Sequence, residues 1–407
     1  MTLLWSEDVE RRIRERAFSI DGQNTPDKIV FCKRCVISNQ RPRITFDDEG
    51  VCSACRFAET KTKIDWASRA KELQVLLNAH RRPSGYDVIV PVSGGKDSSV
   101  VAHKLKHEHG MNPLCVKWAP FIYTDIGRQN LDAFIASGFD VMVAHPGGLI
   151  HRKLARLSFE YLGDPFQPFV FGQLCYPMHM ADKFGIPLVF YGENGEAEYG
   201  GDQSANDRPC WNFSDWERVY LKGAGVKSLI AIGSELGALD DLEVRRISQF
   251  YSLPYFDASK PEFHWLGYYM KWHPQANFYH AAEHTGFRPN PQGRSEGTYS
   301  KYASLDDKLD GLHYWMAYIK FGIGRCTSDA AHEVRDGDLT REEAVALVRK
   351  YDGEFPSRHH KEVIEYLGMD ENQFWRVVDR FRNPVVWGDK NLRVSVWDAL
   401  QESNRAA

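Results

Sequence analysis

Short apolar runs alternate with amphipathic stretches through the middle of this chain. Four runs have the length and polar boundaries of buried strands: 87–92, 113–118, 140–144 and the run that begins at Ile186. The stretches between them have helical character and end at a glycine, at Gly110, Gly138 and Gly185. Strands that alternate with helices predict a parallel sheet with right-handed crossovers. The fold class predicted for this region is therefore α/β, with a doubly wound parallel sheet.

The same pattern divides the chain into four predicted parts. Residues 1–62 are polar and turn-rich, and 63–85 form a polar linker helix that ends at Pro83 and Gly85. Residues 86–275 hold the alternating pattern, with a further strand predicted in "FHWLGYYMKWHP". Residues 276–407 are predicted to be a helical C-terminal region. The stretch "GGDQSANDRPCWNFSDWER" is predicted to be a long loop, and the pattern makes no prediction for the conformation of 199–235 as a whole.

Composition narrows the class of protein. The chain has 407 residues, 43% hydrophobic and 26% charged, which is ordinary for a globular protein of two or three domains. A net charge of −4 disfavours a surface devoted to nucleic acid. No run approaches the roughly 18 apolar residues of a membrane span. The start of the chain lacks a signal-peptide pattern, so a cytoplasmic location is expected.

The first predicted strand ends in a polar turn, Ser93-Gly94-Gly95-Lys96-Asp97-Ser98. The helix that follows has unpaired N–H groups and a partial positive charge at its start, which together form a phosphate cradle. The two glycines let the backbone approach an anion, and the serine hydroxyls add donors. Asp97 can hold Mg²⁺ against phosphate oxygens. The spacing excludes a Walker A loop.

An ordinary serine-capped glycine turn is the alternative for this segment, but the order of strand, polar turn and helix favours a phosphate site. The turn resembles the S-G-G-x-D-S motif of the ATP pyrophosphatases, the PP-loop enzymes. The resemblance implies a PP-loop fold whose turn holds the β,γ-pyrophosphate of ATP, which is cleaved to AMP and pyrophosphate. Lys96 occupies the variable position of that motif. Trp118, at the end of the second strand, either flanks the adenine or belongs to the core.

Four of the eight cysteines form the pattern C-x₂-C-x₁₆-C-x₂-C: Cys32, Cys35, Cys52 and Cys55. Four thiolates at this spacing can surround one Zn²⁺ tetrahedrally, which predicts a structural zinc ribbon. A redox role for a C-x-x-C pair is the lesser alternative. The other cysteines, Cys115, Cys175, Cys210 and Cys326, are scattered. Cys175 is a candidate nucleophile, although a core position is favoured for it.

An acidic loop, "GENGEAEYGG", follows the fourth predicted strand. In a parallel sheet this loop lies at the same edge as the glycine turn. Gly192, Glu193 and Asn194 are therefore candidates for contacts with Mg²⁺, nucleotide or sugar, and Glu193 is a candidate catalytic residue. Glu196 and Glu198 are weaker candidates, and a solvated acidic loop is the alternative for all of them.

Taken as a whole, the chain resembles the N-acetyl sugar amidotransferases of bacterial lipopolysaccharide O-antigen and nonulosonic acid biosynthesis, which belong to the PP-loop superfamily. The segments that carry the resemblance are "FCKRCVISNQRPRITFDDEGVCSAC", "YDVIVPVSGGKDSS", "VFYGENGEAEYGG", "HWLGYYMKW", "GTYSKYASLDDKLDGLHYWMAYIKFGIGRCTSDA" and "FWRVVDRFRNPVVW". The alternative is a zinc-containing tRNA-thiolating PP-loop enzyme, which the acidic balance and the lack of a further C-x₂-C pair disfavour. A catalytically inactive scaffold is disfavoured by the intact turn.

The resemblance implies a ligase that adenylates the acetamido oxygen of a nucleotide-activated N-acetyl sugar and replaces it with ammonia. It implies ATP, Mg²⁺ and structural Zn²⁺ as cofactors. Its implied partners are a glutaminase and a cyclase-like ammonia-channelling subunit of the histidine-biosynthesis type. It also implies a late catalytic lysine, for which Lys301 and Lys308 are candidates. Arg325 is a candidate for binding a sugar carboxylate or phosphate.

Histidines recur on the first predicted helix, at His103, His107 and His109. The i, i+4 spacing of the first two could bind a metal ion, but the sequence indicates no third ligand. Solvated helix histidines are therefore the favoured interpretation, and the same holds for His359-His360.

Overall fold

The computed structural model describes residues 4–15, 26, 28–211, 213–219, 221, 225–255 and 261–387. In this part of the chain one six-stranded sheet is formed by β1 Val88–Pro91, β2 Pro113–Trp118, β3 Val141–Ala144, β4 Leu188–Tyr191, β5 Cys210–Trp211 and β6 Glu262–Trp265. The strand order is β3-β2-β1-β4-β6-β5, and all neighbours are parallel except β5 and β6. The predicted α/β class with a mostly parallel sheet is confirmed, including the strand in "FHWLGYYMKWHP".

The helices of the described residues are α1 Glu7–Glu15, α2 Ser53–Thr60, α3 Trp66–His80, α4 Lys96–His103, α5 Asp125–Ala136, α6 Gly148–Leu162, α7 Gln167–Phe184, α8 Gly195–Glu198, α9 Phe213–Val219, α10 Lys227–Glu235, α11 Asp241–Phe250, α12 Leu266–Tyr269, α13 Pro274–Thr285, α14 Asp310–Phe321, α15 Arg325–Asp336, α16 Arg341–Tyr351, α17 His360–Leu367, α18 Glu371–Phe381 and α19 Pro384–Trp387. Short 3₁₀ helices lie at Lys61–Lys63 and Gln203–Ala205, and a π-helix at Lys104–Glu108 continues α4. None of these helices is both long and apolar enough to cross a membrane.

The predicted helical stretch that ends at Gly185 is divided into two helices, α6 and α7. Gly163 has a φ of +58° and ends α6 in a left-handed conformation that glycine adopts without strain. Pro168 lies in the first turn of α7, where its missing N–H has no helical partner to lose. A helix end and a helix start therefore lie only a few residues apart within one apolar stretch.

The two faces of the sheet are buried by different helices. Along β1, Ile89 packs into one apolar cluster, whereas its neighbours Val88 and Val90 pack into another. This alternation follows from the two-residue period of a strand. The first cluster takes in α6, α7, α14 and α18, and the second takes in α3, α4 and α5. Because both faces are covered, β1 and β4 are apolar throughout rather than alternating with polar residues.

The cysteine-containing segment packs against the C-terminal helices. Cys32, Cys35, Cys52 and Cys55 share an apolar cluster with residues of α15 and α16 that include Cys326, Ala330, Ala344 and Val348. The Arg341 guanidinium on α16 donates to the carbonyl oxygen of Cys35 at 3.1 Å. The first and last parts of the chain thus form one packed unit, while the boundaries proposed at 62, 85 and 275 stay predictions.

A buried histidine is expected to make the fold sensitive to acid. His151 on α6 is 3% exposed, stacks on Phe121 and contacts the Tyr251 hydroxyl at 2.7 Å. Burial lowers the pKa of His151 to about 3. Below about pH 6.5 the imidazole of His151 is protonated in the unfolded chain but stays neutral in the folded chain. The free energy of unfolding therefore falls as the pH drops from about 6.5 towards 3. Between pH 6.5 and 5 this group should cost about 2 kcal/mol.

The measurement is urea unfolding of the wild type and of His151→Asn at pH 7 and pH 5. We expect His151→Asn to lose about 2 kcal/mol less than the wild type between these pH values. His145→Asn, at an exposed histidine, should keep the wild-type dependence. If all three proteins lost the same unfolding free energy between pH 7 and pH 5, His151 would not be the source of the acid sensitivity.

Candidate functional site

The direction in which the chain crosses the sheet reverses next to β1. The chain runs from β1 outwards to β2 and β3, and then returns to place β4 on the other side of β1. In an open α/β sheet such a reversal leaves a crevice at the carboxyl ends of the two central strands, where ligands bind. The turn Ser93–Ser98 follows β1 and the loop that begins at Gly192 follows β4. Both predicted motifs therefore lie at this crevice.

Backbone geometry in the glycine turn presents donors at the start of α4. Gly94 has a φ of +86°, and Gly95 is the extended residue immediately before the helix. The Ser93 hydroxyl accepts from the Gly95 N–H at 3.0 Å, and the Ser98 hydroxyl accepts from the Ser93 N–H at 3.3 Å. The first N–H groups of a helix have no partner within the helix. The turn is thus closed by its own serines at the positively polarised end of α4.

Gly94 is expected to be intolerant of any side chain. A Cβ there would lie 3.0 Å from the backbone N and Cα of Leu131, and α5 cannot move as a side chain can. A left-handed φ alone costs an alanine about 1–2 kcal/mol. We expect Gly94→Ala to lower the free energy of unfolding by more than that amount. Gly85→Ala is the matched control, because Gly85 has a φ of +78° but open space around it. Equal thermal destabilisation of the two variants would contradict the close packing.

The side chains of the turn are held by contacts from outside it. Lys96 Nζ lies 2.6 Å from Asp97 Oδ2 and 4.9 Å from the centre of the Tyr302 ring. Asn277 on α13 donates to Asp97 Oδ1 at 3.0 Å. The Asp97 side chain is nevertheless 43% exposed, so its carboxylate is accessible to a ligand. Carboxylate oxygens are ligands that Mg²⁺ prefers, and Asp97 fits that role.

Lys117 is a site residue that the sequence analysis missed. It lies in β2 with its side chain 1% exposed, and its ammonium donates to the carbonyl oxygen of Ser93. Asp306 Oδ2 is 3.5 Å from the same nitrogen. Burial lowers the pKa of Lys117, and the Asp306 carboxylate opposes that shift. A charged residue inside the apolar run "PLCVKW" was the signal, because a buried charge requires a partner.

The acidic loop after β4 places one carboxyl group in the crevice. Glu193 lines the cavity and accepts from the Tyr199 hydroxyl at 3.2 Å. Burial raises the pKa of Glu193, and the nearby Asp97 charge raises it further. Asn194 instead caps α8 by accepting from the Glu196 N–H, and its side chain is not part of the cavity wall. Gly192 lines the cavity, where a Cβ would meet the Trp272 ring at 2.8 Å.

The remaining two acids of the loop hold neighbouring segments in place. Glu196 Oε2 accepts from Arg43 Nε at 3.1 Å and from the Asp202 N–H at 2.7 Å. Glu198 Oε2 lies 2.6 Å from Lys61 Nζ and 3.5 Å from His332 Nε2. Burial disfavours the Glu198 carboxylate, but His332 and Lys61 outweigh it and lower the pKa of Glu198 to about 2. Both carboxylates therefore anchor the N-terminal segment beside the cavity.

The crevice opens into a cavity of about 900 Å³ lined by three parts of the chain. The charged or titratable lining residues are Arg41 and Arg43 from the N-terminal segment, Lys96, Asp97 and Glu193 from the sheet loops, and Asp306, Asp310, His313, Arg325, Asp329, His332 and Glu333 from the C-terminal region. Glycine-turn and C-terminal side chains thus face the same space. Neither arginine of the N-terminal segment was predicted as a site residue.

Two arginines, Arg41 and Arg325, place positive charge in the wall of the cavity. Arg325 on α15 lies with its Nε 3.0 Å from Asp329 Oδ1, and its guanidinium is 4.4 Å from the centre of the Tyr314 ring. Arg41 lies 5.3 Å from the centre of the Tyr199 ring, and its buried Nε has no hydrogen-bond partner among the described residues. A buried donor without a partner is costly unless a ligand supplies an acceptor.

Three further predicted residues, Trp118, Lys301 and Lys308, differ in their relation to the cavity. Trp118 lines the cavity but is only 4% exposed and packs so closely on Gly172 that a Cβ there would lie 2.1 Å from the indole. Lys301 lies over the Phe278 ring at 4.5 Å, and Lys308 lies 2.5 Å from the Glu362 carboxylate. Neither lysine is part of the cavity wall. The lysines that the structure brings to the turn are Lys96 and Lys117.

The four clustered cysteines fit a tetrahedral zinc site. All four are buried, and the Sγ atoms of Cys32 and Cys55 are 3.8 Å apart, while those of Cys35 and Cys52 are 3.7 Å apart. Sulfurs placed tetrahedrally at about 2.3 Å from Zn²⁺ are separated by about 3.8 Å. The Cys52 N–H also donates to the Cys32 sulfur at 3.3 Å, which favours a thiolate there. The predicted ligands are thus already arranged for zinc.

The scattered cysteines have no such arrangement. Cys115, Cys175 and Cys326 are buried, and Cys210 is partly buried. Burial raises the pKa of the Cys175 thiol, whose sulfur lies 3.5 Å from the carbonyl oxygen of Tyr251. A neutral buried thiol is a poor nucleophile, so the core position is favoured for Cys175.

Comparison with known proteins connects the C-terminal region to polysaccharide synthesis. Residues 296–402 match the family described as "LPS biosynthesis protein WbpG-like, C-terminal domain". No curated protein matches the chain. The matched segment includes Arg325, Asp329 and His332 of the cavity wall, and its last residues, 388–402, lie outside the described part. The C-terminal region is therefore similar to that of proteins of lipopolysaccharide biosynthesis.

Proposed function

We propose that this protein is an ATP-dependent amidotransferase of surface polysaccharide biosynthesis. Its substrate would be a nucleotide-activated N-acetyl sugar, whose acetamido group is converted to an acetamidino group with release of AMP and pyrophosphate. One observation carries the proposal: the glycine turn and the segment that matches the lipopolysaccharide-biosynthesis family line the same cavity of about 900 Å³. A nucleotide site and a sugar site that share one cavity permit direct transfer between them.

The nucleotide end of the cavity is formed by the turn and α4. The β,γ-pyrophosphate would accept from the N–H groups at the start of α4 and from the serine hydroxyls of the turn. Asp97 would hold Mg²⁺, which neutralises charge on the phosphate oxygens when it is bound. Lys117 positions the turn by donating to Ser93, and Lys96 lies at its edge. A lysine ammonium group would stabilise the negative charge of the phosphates. We assign this role to Lys96 rather than to Lys301 or Lys308, because Lys96 lines the cavity.

The sugar end would be formed by the arginines and tyrosines opposite the turn. Arg325 and Arg41 have the planar donors that pair with a diphosphate or a sugar carboxylate. Tyr314 and Tyr199, which lie beside these guanidinium groups, have flat apolar faces on which a sugar ring or base can pack. An anionic, ring-containing substrate matches this part of the wall.

The proposed reaction has two steps in which charge balances. The acetamido oxygen forms a bond to the α-phosphorus of ATP while the bond to the bridging oxygen breaks and pyrophosphate leaves. Ammonia then adds to the carbon of the resulting cationic imidate and loses one proton to solvent, and the bond between this carbon and the AMP oxygen breaks so that AMP leaves with the electron pair. The product is an amidinium cation. Glu193 would stabilise this positive charge, because a carboxylate whose ionisation is disfavoured by burial gains most from a neighbouring cation.

Ammonia would come from partner proteins. By resemblance, these are a glutaminase subunit and a cyclase-like subunit that delivers ammonia to the cavity. Mixing with such subunits and glutamine should replace free ammonium as the nitrogen source. The structural role of the four-cysteine zinc site would be to hold the N-terminal segment, and with it Arg41 and Arg43, at the cavity.

The test is pyrophosphate release from ATP and Mg²⁺ with ammonium chloride, comparing UDP- and CMP-linked diacetamido sugars with bulk tRNA plus a sulfur donor. We expect release only with a sugar, and a sugar product lighter by about one mass unit because O is replaced by NH. Release that depends on tRNA alone would overturn the proposal in favour of a thiolating enzyme. Release with neither substrate class would overturn the assignment of the cavity.

A further inference from the structure

Histidines from two helices meet at the C-terminal end of α4, outside the cavity wall. His103 and His107 come from the end of α4 and its π-helical continuation, and His280 and His284 come from α13. The His103 ring lies 4.8 Å from that of His280 and 4.4 Å from that of His284, centre to centre. The His280 and His284 rings are also 4.4 Å apart. The third ligand that the spacing of His103 and His107 lacked is therefore supplied by α13.

Ligand atoms in this cluster have the separation found around one metal ion. His280 Nε2 and His103 Nδ1 are 3.0 Å apart. Two nitrogens bound to one ion at about 2.1 Å, at an angle of 90–110°, are separated by about 3.0–3.4 Å. One ligand atom each of His103, His280 and Glu108 lies within 4.8 Å of the others. The two ring nitrogens that contact each other are therefore the atoms that would bind the metal ion.

The π-helix is what brings the carboxylate to the histidines. The His109 N–H donates to the carbonyl oxygen of Lys104 at 3.0 Å, which is an i, i+5 bond. In an α-helix a residue aligns with the one three or four positions later, whereas a π turn aligns it with the fifth. Glu108 is the fifth residue after His103. Such local widening costs regular hydrogen bonding and is frequent at functional sites.

We propose that His103, His280 and Glu108 form a second metal site, for a borderline divalent transition metal of the Zn²⁺ class, with His107 and His284 in reach as further ligands. Imidazole ligands suit such ions, whereas Ca²⁺ and Mg²⁺ prefer sites made of oxygen ligands alone. Lys104 Nζ lies 2.7 Å from the Glu108 carboxylate, and this ion pair would break when Glu108 binds the metal ion. The Glu283 carboxylate, 3.9 Å from His284 Nε2, adds negative charge beside the site.

Metal at this position would join the two helices that hold Asp97. Asp97 is in the first turn of α4, and Asn277 on α13 donates to it at 3.0 Å. The histidines cross-link the opposite end of the same helix pair. Occupancy would therefore fix the separation of α4 and α13 without touching the cavity. This role does not depend on which reaction the cavity performs.

The experiment is equilibrium dialysis of the full chain, without a polyhistidine tag, against micromolar free Zn²⁺ followed by metal analysis. We expect two zinc ions per chain for the wild type, one in the cysteine site and one here. His280→Gln and His103→Gln should each bind the second ion at least tenfold more weakly and keep the first. His109→Gln is the matched control, because His109 lies on the same segment outside the cluster, and it should retain both ions.

A single zinc ion in the wild type would overturn the proposal, as would equal loss of the second ion from His109→Gln. Thermal unfolding provides a second measurement for variants with lower yield. In protein whose cysteine site is already filled with zinc, further Zn²⁺ should raise the unfolding midpoint of the wild type and raise that of His280→Gln less. Glu108→Gln, at an exposed residue, should weaken zinc binding while leaving the metal-free midpoint unchanged. An unchanged zinc affinity in Glu108→Gln would remove the carboxylate from the ligand set.

Discussion

Replacing Asp97 with asparagine should lower pyrophosphate release at least about 100-fold, because the substitution removes the charge that would hold Mg²⁺ against the phosphates. The asparagine side chain has nearly the same shape as that of Asp97, and its amide oxygen can still accept the hydrogen bond from Asn277 on α13. The effect should therefore be on turnover and not on folding. The measurement is the initial rate of pyrophosphate release with saturating ATP and sugar, beside zinc content and the thermal midpoint, both of which should match the wild type.

Asp125→Asn is the matched control for this substitution. Asp125 also lies in the first turn of a helix that follows a strand, but it is exposed and outside the cavity. It should keep wild-type turnover. If Asp97→Asn retained full activity, Asp97 would have no role in holding Mg²⁺. If both variants lost activity equally, the loss would reflect helix N-terminal charge in general and not the phosphate site.

The largest effect on stability is expected from Cys32→Ser. The Cys32 sulfur lies 3.8 Å from that of Cys55 and accepts from two backbone N–H groups, so it is central to the proposed zinc site. Structural zinc contributes about 10–16 kcal/mol of binding free energy in small domains, and a missing thiolate removes a large part of it. We expect loss of zinc, a lower unfolding midpoint and a lower soluble yield together.

The destabilisation by Cys32→Ser should extend beyond the cysteine segment, since all four clustered cysteines are packed against α15 and α16. Cys326→Ser is the control, because Cys326 is a buried thiol of the same cluster and not a ligand. It should cost about 1 kcal/mol and retain zinc. Metal analysis and thermal unfolding of both variants distinguish the two cases. A stable, metal-free Cys32→Ser protein would contradict a structural site.

The position of the cysteine segment links this stability to the proposed activity. Arg43 on that segment pairs with Glu196 of the loop after β4, and Arg41 beside it lines the cavity. Lys61 pairs with Glu198 of the same loop. Loss of zinc would thus displace Arg41 and Arg43 from the cavity wall and disrupt the apolar cluster that the cysteines form with α15 and α16. Substrate affinity should fall before the sheet itself unfolds.

Features contained within a few residues were determined by the sequence itself. The glycine turn, the two C-x₂-C pairs and the alternation of strands with helices each depend on local backbone preferences and short spacings. The convergence of the loops after β1 and β4 followed from topology, because parallel strands end at one edge. The resemblance, and not the spacing, proposed Lys301 and Lys308; both lie outside the cavity wall, and their catalytic role stays a prediction.

Contacts between distant segments were decided by the tertiary structure alone. Lys117 reaches Ser93, Asn277 reaches Asp97, and Arg41 reaches the cavity across separations that no spacing rule encodes. The histidine cluster is the plainest case, because i, i+4 spacing proposed one pair and only the packing of α4 against α13 added His280. Local sequence sets which side chains a helix presents on one face. Which other element meets that face depends on burial summed over the whole core, and a single segment does not contain that information.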